Sequence, residues 1–342
     1  MTPASEQLPA SPPIDEVRKS TVDGVSVILP VLNEELYLAH TAEAILSQDY
    51  LGQIEIILAL GPSVDQTEKI AQELRAKDPR VILVDNPTGR TAAGLNLAIA
   101  QSKYPIIVRV DGHAEIPRNY ITLAVEILGK TGAVNVGGVM GAEGVTPFER
   151  AVACAMRSPF GVGSSNFHTG GSAGPVDTVY LGCFSRAALL AVGGFDERFT
   201  RAQDWELNYR LRAAGGIVYF DPRLHVTYRP RPTLAALAKQ YFEYGRWRRV
   251  VTRHHQGTVN LRYLAPPIAL LGILFSLGLG TFLAPLFFIP AGIYLTFLIA
   301  ASVAIGRGIY ERIRLPVILM TMHMSWGAGF LTSPRTLASG RQ

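Results

Sequence analysis

Cysteine and charge are both scarce in this chain of 342 residues. Its two cysteines, Cys154 and Cys183, exclude a disulfide framework and a cysteine-rich zinc site. Such low cysteine usage is typical of a reducing compartment. Charged residues make up only 17% of the chain, which is low for a soluble enzyme of this length. The shortage is concentrated in the C-terminal quarter, so we expect two regions of different character.

The common glycine-rich nucleotide-binding signatures are also missing. Neither GxGxxG nor GxxxxGK(S/T) follows any predicted strand, which excludes a dinucleotide fingerprint and a P-loop. Nucleic-acid-binding motifs are absent from the sequence as well. The net charge is +5, and a cluster of arginines just before an apolar region favours membrane lipids over nucleic acid as partners. The cluster consists of Arg246, Arg248, Arg249, Arg253 and Arg262.

The first 22 residues contain no apolar core of a signal peptide. They are rich in proline, serine, alanine and charge, and this composition predicts a disordered tail. We therefore expect the first folded domain to stay in the cytoplasm.

Apolar strands and amphipathic helices alternate along the first half of the chain. Strands are predicted at 25–29, 54–60, 81–84 and 106–110, with helical patterns and short connections between them. A further helix is predicted from Pro117 to about Leu128. This alternation is typical of a mainly parallel sheet with helices on both faces, which places the chain in the α/β class.

The fourth predicted strand ends in Asp111, Gly112 and His113, where Gly112 would let the backbone turn sharply. In an open α/β sheet, ligands bind at the carboxyl ends of the strands, so we expect Asp111 and His113 to lie at that edge. A carboxylate followed two positions later by an imidazole suits a divalent cation that also binds phosphate oxygens. For this tripeptide alone, the alternative is a polar turn that ends a strand.

Four segments, in the same order, resemble the motifs of family 2 glycosyltransferases. Pro30-Val31-Leu32-Asn33-Glu34 matches the PxxNE opening, and Gly61-Pro62-Ser63-Val64-Asp65-Gln66-Thr67 is similar to the DGSTDGT turn. Gly94-Leu95-Asn96-Leu97-Ala98 resembles a helix of the family, and Asp111-Gly112-His113 falls at its DxD metal motif. The resemblance implies a GT-A fold, a nucleotide-diphospho-sugar donor and a divalent metal, Mn²⁺ or Mg²⁺.

The resemblance also implies which residues bind donor and metal. Asp111 would hold the metal with help from His113, and Glu34 would meet the ribose or base. Two positions depart from the family. Leu60 replaces an acid that contacts the nucleotide base, so UDP as the nucleotide is an assumption. His113 replaces an aspartate, and it either ligates the metal or contacts the diphosphate. The implied donor-binding residues are Pro30, Asn33, Glu34, Asp65, Asn96, Arg109 and Asp111.

A second carboxylate follows at the start of a later predicted helix, where Gln203-Asp204 corresponds to the ED motif of the family. The resemblance implies that Asp204 is the base that takes the proton from an acceptor hydroxyl in an inverting transfer. Gln203 carries no charge where the family has a glutamate, which should ease the ionisation of Asp204. A helix-capping role is the alternative for Asp204 and is compatible with catalysis.

Segments further along resemble the acceptor side of the membrane-bound succinoglycan-biosynthesis branch. The run from Gln240 to Trp247 is similar to the QxxRW motif, with a longer spacing. The alternative for Arg246 and Trp247 is an interfacial helix with a snorkelling arginine and a tryptophan of the membrane belt. The residues assigned to the acceptor or diphosphate side are Gly182, Gln203, Gln240, Arg246 and Trp247.

The stretch from Tyr263 to Ile305 contains no charged residue and is long enough for two membrane spans, broken near Ala284-Pro285. A third apolar segment follows at 315–331, where His323 and Trp326 leave an interfacial or re-entrant segment as the alternative. With the basic flanks inside, the catalytic domain is cytoplasmic and the C-terminus lies outside. We predict a tail at 1–22, a GT-A catalytic domain at 23–235, an interfacial helix at 236–262, a membrane domain of about three spans at 263–333 and a short tail at 334–342.

These expectations combine into an inverting glycosyltransferase of the plasma membrane. It would move a hexose-type sugar from a nucleotide donor to a membrane-held, polyprenyl-diphosphate-linked acceptor in cell-surface polysaccharide or glycolipid synthesis. Its partners would be the donor, the acceptor and membrane lipids. Two alternatives stay open. One is a polyprenyl-phosphate monosaccharide synthase, whose acceptor phosphate needs no base. The other is a non-catalytic membrane subunit that retains the fold, which the departures at Leu60, Gln203 and His113 would fit.

Overall fold

A computed structural model describes residues 24–338, so the predicted tail at 1–22 and the last residues of the chain lie outside the described part. Within it, eight strands form one sheet in the order β3-β2-β1-β4-β7-β5-β8-β6. The first four strands are parallel, whereas β7 runs antiparallel to β4 and β5. The strands are β1 Gly24–Val31, β2 Gln53–Leu60, β3 Val81–Asp85, β4 Ile106–Arg109, β5 Asn135–Ala142, β6 Gly174–Pro175, β7 Tyr180–Ser185 and β8 Val218–Tyr228.

Thirteen α-helices connect and follow these strands within the described residues. They are α1 Leu38–Leu46, α2 Thr67–Lys77, α3 Thr91–Gln101, α4 Tyr120–Thr131, α5 Pro147–Met156, α6 Pro159–Val162, α7 Asn166–Thr169, α8 Arg186–Ala191, α9 Gln203–Ala213, α10 Leu234–His254, α11 Leu261–Phe282, α12 Ile289–Ile305 and α13 Ile309–Thr332. A 3₁₀ turn, Pro285–Phe288, precedes α12.

One helix boundary differs from the sequence prediction. The helix expected from Pro117 begins at Tyr120, because Pro117 lies in a turn whose carbonyl accepts hydrogen bonds from the Tyr120 amide (3.0 Å) and the Gln48 side chain (2.9 Å). The helix continues to Thr131 and stops at Gly132, which takes the left-handed conformation (φ 65°) that favours glycine at a helix end.

Alternate residues of β1 pack on opposite faces of the sheet. Val25, Val27 and Leu29 belong to one buried cluster, whereas Ile28 packs with Ile57 and Ile107 on the other face. A strand buried on both faces reads as a continuous apolar run, and β1 therefore lies at the centre of a covered sheet. The predicted α/β class with helices on both faces is confirmed.

The chain forms two compact units that interleave along the sequence. The first runs to Val139 and adds Ser172–Glu197 and Gln203–Val226. The second contains Met140–Gly171, Arg198–Ala202 and the chain from Thr227 onward. The units interleave because α5, which follows β5, packs against α13 in the second unit.

Three helical segments of the second unit are long and apolar enough to cross a membrane: Leu261–Phe282, Pro285–Ile305 and Ile309–Thr332. The first two are separated at residues 283–284, where the sequence predicts the break. The third extends beyond the predicted segment at both ends.

Candidate active site

Two loops at the carboxyl ends of β1 and β2 are joined by hydrogen bonds through Asn33. Its amide donates to Ser63 Oγ (3.0 Å), and its side-chain oxygen accepts from the Val64 amide (2.9 Å). Asn33 adopts a left-handed backbone conformation (φ 56°), which asparagine tolerates better than most residues. Pro30, next to last in β1, leads into this loop, so the predicted PxxNE segment runs from the strand end to the Asn33 contacts.

Asp65 helps to fix the same two loops. Its carboxylate accepts from the Thr67 amide (3.0 Å) and from the Glu35 amide (3.3 Å), while Thr67 Oγ1 accepts from the Glu34 amide (2.7 Å). The hydrogen bond from the Thr67 hydroxyl lowers the pKa of Asp65, with smaller contributions from backbone amides. Asp65 therefore organises the start of α2, and its predicted donor contact stays a prediction.

Arg109, the last residue of β4, is buried at 4% exposure and lies against two carboxylates. Its Nη2 donates to Asp111 Oδ1 (2.9 Å), and its Nη1 donates to Asp204 Oδ1 at the start of α9. The structure thus brings together the predicted metal ligand Asp111 and the predicted base Asp204. Arg109, which contacts both, lies 95 positions before Asp204 in the sequence. Sequence reasoning placed Arg109 among the donor-binding residues but did not predict this bridge.

The charges of this trio shift one another. Burial acts to lower the pKa of Arg109, but the neighbouring carboxylates of Asp111 and Asp204 outweigh it and raise the pKa, so the guanidinium stays charged. Burial raises the pKa of Asp204, and the negative charge of Asp111 adds to this rise, whereas Arg109 opposes it. A carboxyl with a raised pKa is a stronger base than an ordinary aspartate, which suits proton abstraction.

His113 lies beside Glu34 rather than apart from the β1 loop. Its Nδ1 donates to Glu34 Oε1 (2.8 Å), and the ring of Tyr37 lies edge-on at 6.5 Å between centroids. Gly112 is required for space, because a Cβ there would approach Glu34 Cγ to 2.9 Å. The predicted turn is present, since the Ala114 amide donates to the Asp111 carbonyl (2.9 Å), and the close approach of the Glu34 side chain is a second reason for glycine at this position.

Asn96 lies on α3 and forms hydrogen bonds with the turn that precedes α9. Its side-chain nitrogen donates to the Phe195 carbonyl (2.8 Å) and to Glu197 Oε1 (2.9 Å), and its oxygen accepts from the Phe195 amide (2.8 Å). The Phe195 ring in turn lies 6.0 Å from the Arg109 guanidinium. The side-chain amide of Asn96 is thus engaged within the protein. By holding Phe195, Asn96 helps to position the ring that lies over Arg109. The predicted contact of Asn96 with the donor stays a prediction.

A buried polar chain that sequence reasoning missed lies beside Gly182. Asn135 of β5 donates to Asn208 of α9 (2.7 Å), and Asn208 donates to Thr178 Oγ1 (2.9 Å). A Cβ at Gly182 would approach Asn135 Oδ1 to 2.6 Å, so glycine is needed there. The one available signal was an asparagine within an otherwise small and apolar strand.

Gln203 is the first residue of α9 and is buried. Ala202 before it has a φ of 59°, a strained value for alanine.

The remaining acceptor-side candidates lie on α10 in the second unit. Gln240 donates to the hydroxyls of Tyr228 (2.8 Å) and Tyr244 (2.9 Å), and Arg246 pairs with Glu243 (2.8 Å). Trp247 is 3% exposed and its ring lies 5.8 Å from that of Phe199. Because it is buried inside the protein, Trp247 is not a membrane-belt residue.

Within residues 24–338 no group of three or more histidine, cysteine, aspartate or glutamate side chains is placed to hold a metal ion. Asp111 and His113 can supply one carboxylate and one imidazole, and substrate phosphates and water commonly complete such sites. The Nδ1–H of His113 on Glu34 is the type of carboxylate contact that orients a ligating imidazole. The residues present therefore fit a metal that arrives with a diphosphate.

Comparisons with known proteins agree on one family. A family model described as Glycosyl transferase family 2 matches residues 26–189. The succinoglycan biosynthesis protein ExoA of Rhizobium meliloti is 32% identical over 318 residues, which cover 89% of this chain and 93% of that protein. A Methanococcus voltae protein, a dolichyl N-acetyl-α-D-glucosaminyl phosphate 3-β-D-2,3-diacetamido-2,3-dideoxy-β-D-glucuronosyltransferase, is 24% identical over 90% of this chain and 95% of its own length.

Among solved structures, the mannosyltransferase PcManGT of Pyrobaculum calidifontis, in complex with GDP-Man and Mn²⁺, is similar with a TM-score of 0.57. The match covers 90% of this chain and 86% of that chain at 19% sequence identity, so it speaks for the fold alone. The GT-A fold expected from the sequence is confirmed.

Proposed function

We propose a reaction for this chain from the premise that it belongs to glycosyltransferase family 2, in the branch of the succinoglycan biosynthesis protein. It is a glycosyltransferase of polysaccharide or glycolipid biosynthesis, with apolar helices that indicate membrane association. We propose that it transfers a sugar from a nucleoside-diphosphate donor to a hydroxyl group of a lipid-linked saccharide. The transfer proceeds by single displacement with inversion.

The observation that carries the proposal is the bridge from Arg109 to Asp111 and Asp204. It holds the Asp111 carboxylate, suited to the donor side, beside the Asp204 carboxylate, suited to the acceptor side. Asp204 takes the proton of the acceptor hydroxyl while that oxygen forms its bond to the anomeric carbon, and the bond from that carbon to the diphosphate breaks on the opposite face. Arg109 keeps Asp204 oriented and balances its charge until the proton arrives.

On the donor side, the Asn33 loop and the Asp65 turn supply a rigid edge for the nucleoside, and Glu34 lies there at 15% side-chain exposure. Asp111 and His113 would hold Mn²⁺ or Mg²⁺, which when bound neutralises the charge that develops on the departing diphosphate. The complex of a related fold with GDP-Man and Mn²⁺ supports this assignment.

The lipid-linked acceptor is supported by the name of the Methanococcus relative, which acts on a dolichyl-phosphate-linked sugar. The arginine-rich helix α10 followed by apolar helices also suits a substrate held at a membrane surface. We place the catalytic unit on the cytoplasmic side of the plasma membrane, since basic residues flank the apolar helices.

The test is a transfer assay on detergent-solubilised protein with a panel of nucleotide sugars, Mn²⁺ or Mg²⁺, and membrane lipid extract. The wild type is run beside Asp111→Ala, Asp204→Asn and the control Asp177→Asn, which changes a carboxylate 65% exposed to solvent. We expect transfer from one donor that both site variants lose and the control retains. Asp204→Asn should still bind that donor, because it removes only the base.

Two other outcomes would replace the proposal. Transfer that survives Asp204→Asn would identify a polyprenyl-phosphate monosaccharide synthase, because a phosphate acceptor is already ionised at neutral pH. Failure of the wild type to bind any donor in the panel would identify a non-catalytic membrane subunit.

A further inference from the structure

The last helix, α13, is held at both ends by helices that carry charge. Near its start, Glu311 pairs with Arg150 of α5 (3.5 Å), and the Glu311 side chain is only 12% exposed. Just beyond its end, the carbonyls of Ser333 (2.9 Å) and Pro334 (3.0 Å) accept hydrogen bonds from Arg253 of α10. Both contacts lie within the second compact unit.

Between these two ends, α13 stays against the same helices. A Cβ on Gly161 of α6, the short helix that follows α5, would lie 3.0 Å from Met322 Cε in the middle of α13. Further along, α10 and α13 touch backbone to backbone. A Cβ on Gly245 would overlap the Trp326 carbonyl, and one on Gly329 would overlap the Phe242 carbonyl. Helix α13 is therefore held against α10 in its second half, and its His323 also contacts Tyr294 of α12 (2.9 Å).

The helix α10 is too highly charged for the hydrocarbon region of a bilayer. Charged side chains are costly there and concentrate at the interface instead. Its charged residues are Lys239, Glu243, Arg246, Arg248, Arg249 and Arg253. The second half of α13 packs along this helix, so it lies beside a helix suited to the membrane interface.

The face of α13 that α5 and α10 leave uncovered is apolar along the whole helix. Its exposed residues are Ile313 (66%), Val317 (46%), Met320 (42%) and Leu331 (44%). The spacing of three or four residues between the first three places them on one side of the helix. This side of α13 is open to lipid, whereas Leu315, Ile318 and Met322 are buried against the protein.

Three guanidinium groups gather where α13 ends. Burial, together with the positive charges of Arg249 and Arg335, lowers the pKa of Arg253. Within residues 24–338 no carboxylate forms an ion pair with any of the three. Such a cationic cluster suits the phosphate groups of a lipid surface on the basic side of the membrane.

We propose that α13 lies in the plane of the membrane, on the same side as α5 and α10, with its Ile313–Leu331 face in lipid. The partner of this face is a phospholipid surface with anionic head groups near Arg249, Arg253 and Arg335. The chain after α13 then lies on the same side of the membrane as α5 and α10. This replaces the expectation of a C-terminus on the opposite side, and it does not depend on the reaction that the enzyme catalyses.

The test compares single cysteines placed at two exposed positions, Lys239→Cys on α10 and Arg335→Cys after α13. Both native cysteines are buried, so the wild type supplies the blank. A membrane-impermeant maleimide is applied to intact cells and to inverted membrane vesicles. We expect both variants to be labelled several-fold more strongly than the wild type, and both of them in the same one of the two preparations. Labelling of Lys239→Cys and Arg335→Cys in opposite preparations would overturn the proposal.

A depth measurement supplies a second, independent readout. Nitroxide labels on cysteines at Ile313, Met320 and Leu331 are probed in liposomes that contain an anionic phospholipid, using oxygen and a nickel complex as relaxation agents. An in-plane helix gives similar immersion depths for all three positions. A helix that crosses the bilayer gives the greatest depth at Met320 and shallow positions at the two ends, which would overturn the proposal.

Discussion

The buried guanidinium of Arg109 donates a hydrogen bond to the carboxylate of Asp204, and this contact joins the end of β4 to the start of α9. Because Arg109 also holds Asp111, one cation lies between the two carboxylates that the chemistry needs. A buried charge is stable only with such partners. The position of the proposed base relative to the proposed metal ligand therefore depends on this side chain.

Replacing Arg109 with methionine should destabilise the protein and abolish transfer. The substitution leaves two carboxylates without their cation, and we expect a loss of about 3 kcal/mol, at the lower end for a broken buried pair because both carboxylates retain some solvent contact. Arg109→Lys should fold better but transfer poorly, since a single ammonium cannot bridge both carboxylates as a guanidinium does. Denaturant unfolding and transfer rates measure the two effects.

The control for Arg109 is Arg80→Met, which breaks an ion pair with Asp78 in which the arginine is 43% exposed. Exposed pairs contribute less than about 1 kcal/mol, so this variant should keep both stability and transfer. Equal stability of the Arg109→Met and Arg80→Met variants would contradict a structural role for the bridge.

As the pH decreases, the rate of transfer should begin to fall at a higher pH than an ordinary aspartate would give. Burial raises the pKa of Asp204 above its usual value of 3.8, and a base must be deprotonated to act. Activity is thus complete above the raised pKa and is lost as the pH falls through it. The measurement is the pH dependence of kcat with saturating donor and acceptor. An acidic limb at or below the pKa of a free aspartate would contradict the assignment of Asp204.

The same pair of residues shows what the sequence could and could not predict. Asp111 follows an apolar run directly, and its place at the edge of the sheet depends on local pattern and strand order, so it was predictable. The contact from Arg109 to Asp204 was not, because it depends on how β4 and α9 pack across 95 positions. The arginine at the end of an apolar strand was a visible signal, since a buried charge requires a partner.

Trp247 and Asn96 illustrate a different limit. The basic and aromatic composition of the segment around Trp247 fits both a membrane belt and a buried helix contact, and only packing on Phe199 distinguishes them. For Asn96, a motif position implied a ligand contact, whereas the structure engages its amide in holding Phe195. A pattern identifies residues that are polar for a reason, but the partner is set by tertiary structure.

Metal binding should require the nucleotide. Asp111 and His113 offer too few ligands for a tight site on their own, and diphosphate oxygens would complete the shell. We expect calorimetry with Mn²⁺ alone to give weak binding, and titration in the presence of a nucleoside diphosphate to strengthen it by about tenfold or more, in line with the effect of losing or gaining ligand-shell partners. Asp111→Ala should abolish this increase, and His113→Ala should reduce it. Tight Mn²⁺ binding to the nucleotide-free wild type would contradict this arrangement.

The crossing of α10 and α13 gives a prediction about the second unit that is separate from catalysis. Gly245→Ala should destabilise this unit, because the new Cβ would overlap the Trp326 carbonyl and approach the Phe330 amide nitrogen to 2.8 Å. Backbone atoms cannot move aside as a flexible side chain can, so the two helices must separate. Overpacking of this kind costs about 1–3 kcal/mol.

The matched control is Gly272→Ala on α11, where a Cβ meets open space and alanine favours the helix. Thermal unfolding in detergent should therefore show a lower Tm for Gly245→Ala and an unchanged or higher Tm for Gly272→Ala. If both variants unfold at the wild-type temperature, this crossing does not hold α13 against α10, and the proposed in-plane position of α13 loses that support.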